Sequence, residues 1–111
     1  MVHLLTAGTT GKLTGLISDK DSGEALIGCN VIVADTDLGT ASNESGEYFI
    51  LNIHPGVYTI KFSMIGYESL ILQNVNVSID KTTRMNAALR TEVIEGSEVV
   101  VTAERKLIQF D

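Results

Sequence analysis

The chain has 111 residues, 44% of them hydrophobic, with one Cys, one Pro and no Trp. That length holds one domain with a modest core, burying roughly two-thirds of the unfolded surface, and leaves no room for a second. Fourteen acidic residues against eight basic ones give a net charge of −6 and disfavour a nucleic-acid partner, since phosphates are gripped by clustered Lys and Arg. Apolar runs stop at four residues, as in Val31 to Ala34 and Tyr48 to Leu51, whereas a membrane-spanning helix needs about 20. An outer-membrane barrel, with at least about 8 strands, does not fit either. The lone Cys29 excludes an internal disulfide.

Residues 1–10 are set apart from the fold. Leu4-Leu5-Thr6-Ala7 fits either the end of a signal peptide, with cleavage near Ala7, or a start appended to the natural chain. From Gly11 onward, turn signals recur at Asp19 to Gly23, Asp35 to Gly39, Asn43 to Gly46, Asn52 to Gly56, Gly66 and Asp80 to Thr82. The runs between them are rich in Val, Ile, Thr, Tyr and Phe, which suit a pleated surface. Strand side chains alternate faces. Apolar residues at every second position therefore predict buried faces at Leu13-Gly15-Ile17, Cys29-Val31-Val33, Tyr48-Ile50, Tyr58-Ile60-Phe62 and Met85-Ala87-Leu89. Lys12, Thr14, Ser18, Asn30, Thr59, Lys61, Arg84 and Arg90 fall on the opposite, solvated side. Leu16, Phe49 and Leu51 break this alternation, so part of the outer face is apolar and is expected to be covered.

No stretch shows a sustained 3.6-residue period. About seven short strands with turns every 8–12 residues predict an all-β sandwich, with a closed all-β barrel as the alternative. The sandwich is expected to span 11–91. Residues 92–111 follow as a polar connector around Glu95-Gly96-Ser97 and then a strong strand former, Val99-Val100-Val101-Thr102-Ala103.

Chemistry-bearing residues are sparse. Catalysis needs a nucleophile, a base and an orienting group in one place. His3 lies in the set-aside start and His54 in the turn before Pro55, while Cys29 occupies an apolar-facing strand position as a small hydrophobe. Asp19-Lys20-Asp21-Ser22-Gly23 has some calcium-loop character, yet Gly23 stands where a third oxygen ligand belongs, which favours a turn held by Asp and Ser. Whether Asp19 and Asp21, or Asp35 and Asp37, bind a cation is left open by the spacing. A Lys12–Asn86 isopeptide crosslink is disfavoured, because Lys12 falls on the polar face.

Gly15-Leu16-Ile17-Ser18-Asp19, Ser22-Gly23-Glu24-Ala25-Leu26-Ile27-Gly28-Cys29-Asn30-Val31 and Gly46-Glu47-Tyr48 resemble the carboxypeptidase regulatory-like family. Asn52-Ile53-His54-Pro55-Gly56-Val57-Tyr58 and Ile65-Gly66-Tyr67-Glu68 extend the resemblance. Cys29 and Asn43 are mild departures, standing where the family favours Ala and Asp. The resemblance implies a transthyretin-like, seven-stranded Greek-key sandwich without catalytic residues, cofactor or metal.

Such domains precede the plug of many TonB-dependent outer-membrane receptors, and Val99, Val100, Val101, Thr102 and Ala103 resemble the TonB box of those proteins. This leads to the expectation of a periplasmic N-terminal module of an outer-membrane receptor. In that role Val99–Ala103, kept free of the sandwich by Glu95-Gly96-Ser97, pairs with the C-terminal domain of TonB for energy-coupled uptake. The alternatives are an accessory domain of a secreted metallocarboxypeptidase or surface enzyme, or a carbohydrate-binding sandwich. A plain last strand of the sandwich is the competing reading of Val99–Ala103.

Overall fold

The structure is a computed structural model that describes residues 9–103. His3, Leu4–Ala7 and residues 104–111 lie outside the described residues. Nine strands form among those described: β1 (Gly11–Asp19), β2 (Asn30–Val33), β3 (Gly39–Ala41), β4 (Glu47–Ile53), β5 (Gly56–Ser63), β6 (Ser69–Val77), β7 (Thr82–Arg84), β8 (Ala87–Leu89) and β9 (Glu98–Thr102). They make two sheets. One runs β4–β1–β7 with β8 also on β1, and the other runs β3–β2–β5–β6–β9. The all-β sandwich is thus the architecture and the barrel is not.

The predicted inner faces meet between the sheets. Leu13, Ile17, Cys29, Val31, Val33 and Phe62 are fully buried, each contributing about 1.5–3 kcal/mol if a large aliphatic or aromatic side chain. Tyr48 crosses the interior and packs edge-on against Phe62, with ring centroids 5.5 Å apart at 72°. Its hydroxyl donates to the Met85 carbonyl at 2.6 Å, so the polar end of a buried ring is satisfied. Burial pushes the Tyr48 phenol well above its usual pKa. Cys29 sits inside with its amide donating to Ser42 Oγ at 2.9 Å, and burial pushes its thiol up to about 11. Such a thiol carries almost no thiolate at neutral pH and is inert.

The strand count exceeds the predicted seven for two reasons. β7 and β8 both run parallel to β1 but part at Met85-Asn86. There the Asn86 side-chain oxygen accepts from Leu16 N–H at 2.9 Å, in place of a ladder carbonyl, while the Met85 carbonyl turns inward to Tyr48. The second reason is β9, which pairs parallel with β6 in the register Leu70↔Val99, Ile71↔Val100, Leu72↔Val101.

Two bulges reset the alternation where the sequence pattern fails. Between Leu13↔Ile50 and Gly11↔Ile53, β4 carries one extra residue, with Asn52 at φ 61°. Between Tyr58↔Val75 and Ile60↔Leu72, β6 carries one, with Asn74 at φ 65°. Asn tolerates the left-handed region. Each bulge shifts the phase by one, so Ile53 and Val75 face inward. Thr14 departs from its predicted solvated place: it is buried, its hydroxyl donating to the Tyr48 carbonyl at 2.8 Å.

Candidate functional site

Three features stand outside the core: the β9 edge, the outer face of β1 and β4, and the Asp19 turn. At the first, the connector is not a spacer. Ser97 N–H donates to the Ile94 carbonyl, Gly96 takes φ 82°, and Gly96 N–H donates to Glu92 Oε2 at 2.6 Å. This turn lays the following segment on β6 instead of releasing it. Lys61 and Glu98 pair at 3.4 Å across the sheet. At the far end, Ala103 N–H donates to the Gln73 carbonyl and Asn74 Nδ2 to the Ala103 carbonyl. The expectation that Glu95-Gly96-Ser97 keeps Val99, Val100, Val101, Thr102 and Ala103 free is therefore corrected, and the sheet continues past residue 91. The physical reason is that three β-branched residues form good strand, and β6 offered an unpaired edge.

β9 is an edge strand, with Val100 55% and Val101 43% exposed. Below it, a cleft of about 160 Å³ opens between Leu70, Val99 and Val101 on one sheet and Leu89 on the other. Glu68 lines it. Its Oε2 accepts from Ser97 Oγ, while its buried Oε1 has no hydrogen-bond partner among the described residues and lies 3.9 Å from Arg90 Nε.

The second feature is Leu16, Phe49 and Leu51, which the alternation sends to the outer face of β1 and β4. They stand 42%, 51% and 53% exposed. Thr14 faces Phe49 and Leu16 faces Glu47 across the pair, so the three side chains form one apolar patch on neighbouring strands. The expected cover is not supplied by any described residue of this chain.

The third is structural. Asp19 Oδ1 accepts the N–H groups of Asp21 and Ser22, and Oδ2 accepts the Tyr67 hydroxyl at 2.7 Å. Foremost the Tyr67 hydrogen bond, and then the two backbone donors, hold the Asp19 carboxyl below its ordinary pKa of 3.8. The same bond pushes the Tyr67 phenol up. Because the folded value is the lowered one, the tie contributes stability above the ordinary aspartate range and loses it as pH falls through the folded pKa. Carboxyl-detected NMR titration of Tyr67→Phe should move the Asp19 inflection upward toward 3.8. An inflection unmoved by that substitution would show that the hydroxyl does not set it.

Both Asp19 oxygens are thus engaged by protein donors. Among the described residues, no group of three or more His, Cys, Asp or Glu converges to hold a metal ion. Lys12 pairs with Thr82, whereas Asn86 is committed to Leu16, so the two crosslink candidates are not brought together. His54 is exposed and offers its backbone carbonyl to the Tyr58 hydroxyl. No described helix is long and apolar enough to cross a membrane.

Known proteins share this architecture. A cohesin–X–dockerin complex from Acetivibrio cellulolyticus matches with TM-score 0.63 and 22% identity, over 79% of this chain and 64% of that one. A candidate carbohydrate-binding protein from Bacteroides uniformis gives 0.58 and 17%, over 74% and 42%. The minor pilin of Streptococcus agalactiae gives 0.58 and 18%, over 84% and 49%. These likenesses show the fold. A probable endonuclease 4 from Bifidobacterium longum is 28% identical over 82 residues, which are 74% of this chain and 28% of the relative. The chain therefore spans little more than a quarter of the curated relatives it matches. Residues 13–101, from the first core strand to within β9, match the CarboxypepD_reg-like domain. The chain belongs to that family of non-catalytic, transthyretin-like sandwich modules.

Proposed function

We propose that the domain is an accessory interaction module, which docks onto another protein surface through the outer face of β1 and β4. The apolar patch of Leu16, Phe49 and Leu51 carries this reading. Single exposed hydrophobics are ordinary, but three large ones together on a sheet face mark a surface made to be covered. The fold neighbours support it, since the sandwich recurs in a cohesin–X–dockerin complex and in a pilin. A sugar site is favoured less, because glycans are held by exposed aromatic faces and, among the described aromatics, Phe49 alone is more than half exposed.

Phe49→Ser tests this. The purified domain should stay folded, with stability within about 1 kcal/mol, as expected for a surface site. In gentle extracts of the native host, the wild-type protein should elute with a companion at higher mass, and the variant should not. Identical elution of the two would count against the outer face.

A second reading keeps Val99–Ala103 as a TonB-binding strand at the periplasmic side of the outer membrane, in a receptor for nutrient uptake. Its support is the half-exposed valine run at a sheet edge. TonB would then pair with the open edge of β9 or draw the strand from β6. Val100→Pro should weaken binding of a purified TonB C-terminal domain, because proline removes a strand donor. Equal binding of both forms, or binding of neither, would remove the reading.

A further inference from the structure

We propose that β4 pairs antiparallel with β4 of a second copy of this chain, edge to edge, about a two-fold axis at Ile50; this goes beyond the outer-face reading, because it occupies the edge of the sheet and leaves the face of β1 and β4 open. β4 is the edge of its sheet. Its seven residues contain neither Lys nor Pro, the usual guards of an open edge, and its only charge is Glu47 at the start.

The hydrogen-bond phase selects the register. Ile17 N–H donates to the Gly46 carbonyl. In an antiparallel ladder the bonded pairs recur at every second residue, so Gly15↔Tyr48 and Leu13↔Ile50 bond as well. The N–H and C=O of Glu47, Phe49 and Leu51 then point away from β1. Glu47 has already spent both on Asn43, its N–H on the side-chain oxygen and its carbonyl on Asn43 N–H. Phe49, and Leu51 up to the bulge at Asn52, have no backbone partner on that side among the described residues.

Only pairing about Ile50 uses these two residues together, each Phe49 exchanging bonds with Leu51 of the other copy. Pairing about Phe49 would instead require the occupied groups of Glu47. The chosen register also aligns the exposed side chains, giving two Phe–Leu cross-strand contacts on one continuous apolar face, with each Leu16 beside it. Charge placement agrees. Each Glu47 lies beyond the paired residues, towards the bulge at Asn52 of the other copy, and the two Glu47 side chains stay far apart. With each copy at −6 overall, long-range repulsion opposes the dimer and added salt should tighten it.

Sedimentation velocity of the full chain over a range of concentration and salt tests the pairing. The expected result is a reversible dimer, favoured by salt, and weakened about tenfold by Leu51→Lys through lost contact and added charge. Circular dichroism checks that the variant is folded. Mild oxidation of a mixture of Phe49→Cys and Leu51→Cys chains provides a second readout. The mixed disulfide should outpace both homodisulfides, with buried Cys29 staying out of the reaction. A monomer at every concentration and salt, a dimer indifferent to Leu51→Lys, or faster homodisulfides would each overturn the pairing. A monomeric purified chain whose Phe49 is still covered in the cell would sink this inference and leave the outer-face reading standing.

Discussion

Gly15→Ala is expected to destabilise the domain by about 3 kcal/mol, at the top of the usual range for overpacking. A Cβ at Gly15 would overlap the backbone carbonyl of Met85 and come within 2.9 Å of the Tyr48 ring. A flexible side chain can swing aside, but that carbonyl cannot, because it accepts the Tyr48 hydroxyl and marks the break between β7 and β8. β1 is also the strand to which β4, β7 and β8 all attach. Displacing it loosens a whole sheet. Thermal unfolding should show a fall in Tm of roughly 10–20 °C for a domain of this size. A change of only a degree or two would mean that Met85 can move freely and that the Gly15–Met85–Tyr48 junction is not a constraint.

Phe62→Ala should cost about 3–5 kcal/mol, the range for deleting a buried aromatic ring. Phe62 is fully buried on β5 and packs in a T-shaped pair with the ring of Tyr48. Its removal leaves a void between the sheets and deprives Tyr48 of its aromatic neighbour. In urea unfolding the midpoint should drop while the slope stays the same, since the surface exposed on unfolding barely changes. A midpoint close to wild type would place the centre of the core elsewhere.

Much of the fold was legible in alternation and turn chemistry. Leu13, Ile17, Cys29, Val31, Val33 and Phe62 face inward as the two-residue period requires. The period misled wherever a single extra residue entered a strand. Asn52 and Asn74 adopt φ near +60° and reverse the phase, and a lone Asn in an apolar strand does not announce this. Thr14 looked solvated because nothing local predicts that its hydroxyl would bond the carbonyl of Tyr48 on the next strand. Asn86 was likewise unreadable: its role is to replace a ladder carbonyl, which depends on where β1 runs.

The candidate site divides the same way. Leu16, Phe49 and Leu51 declared themselves by violating the pattern. The Asp19–Tyr67 tie joins residues 48 apart in sequence, so only the folded chain brings it together. For Val99–Ala103, composition correctly indicated a strand, but whether it would be donated or docked depended on the tight turn at Gly96 and on the spare edge of β6.

The outer face and the β9 edge can be compared in one measurement, hydroxyl-radical footprinting of the protein in its native cells against the purified domain at low concentration. A working surface on β1 and β4 predicts that Phe49 and Leu51 lose reactivity in the cell while Val100 and Val101 keep theirs. Unchanged Phe49 and Leu51 beside newly shielded Val100 and Val101 would contradict it and move the function to β9.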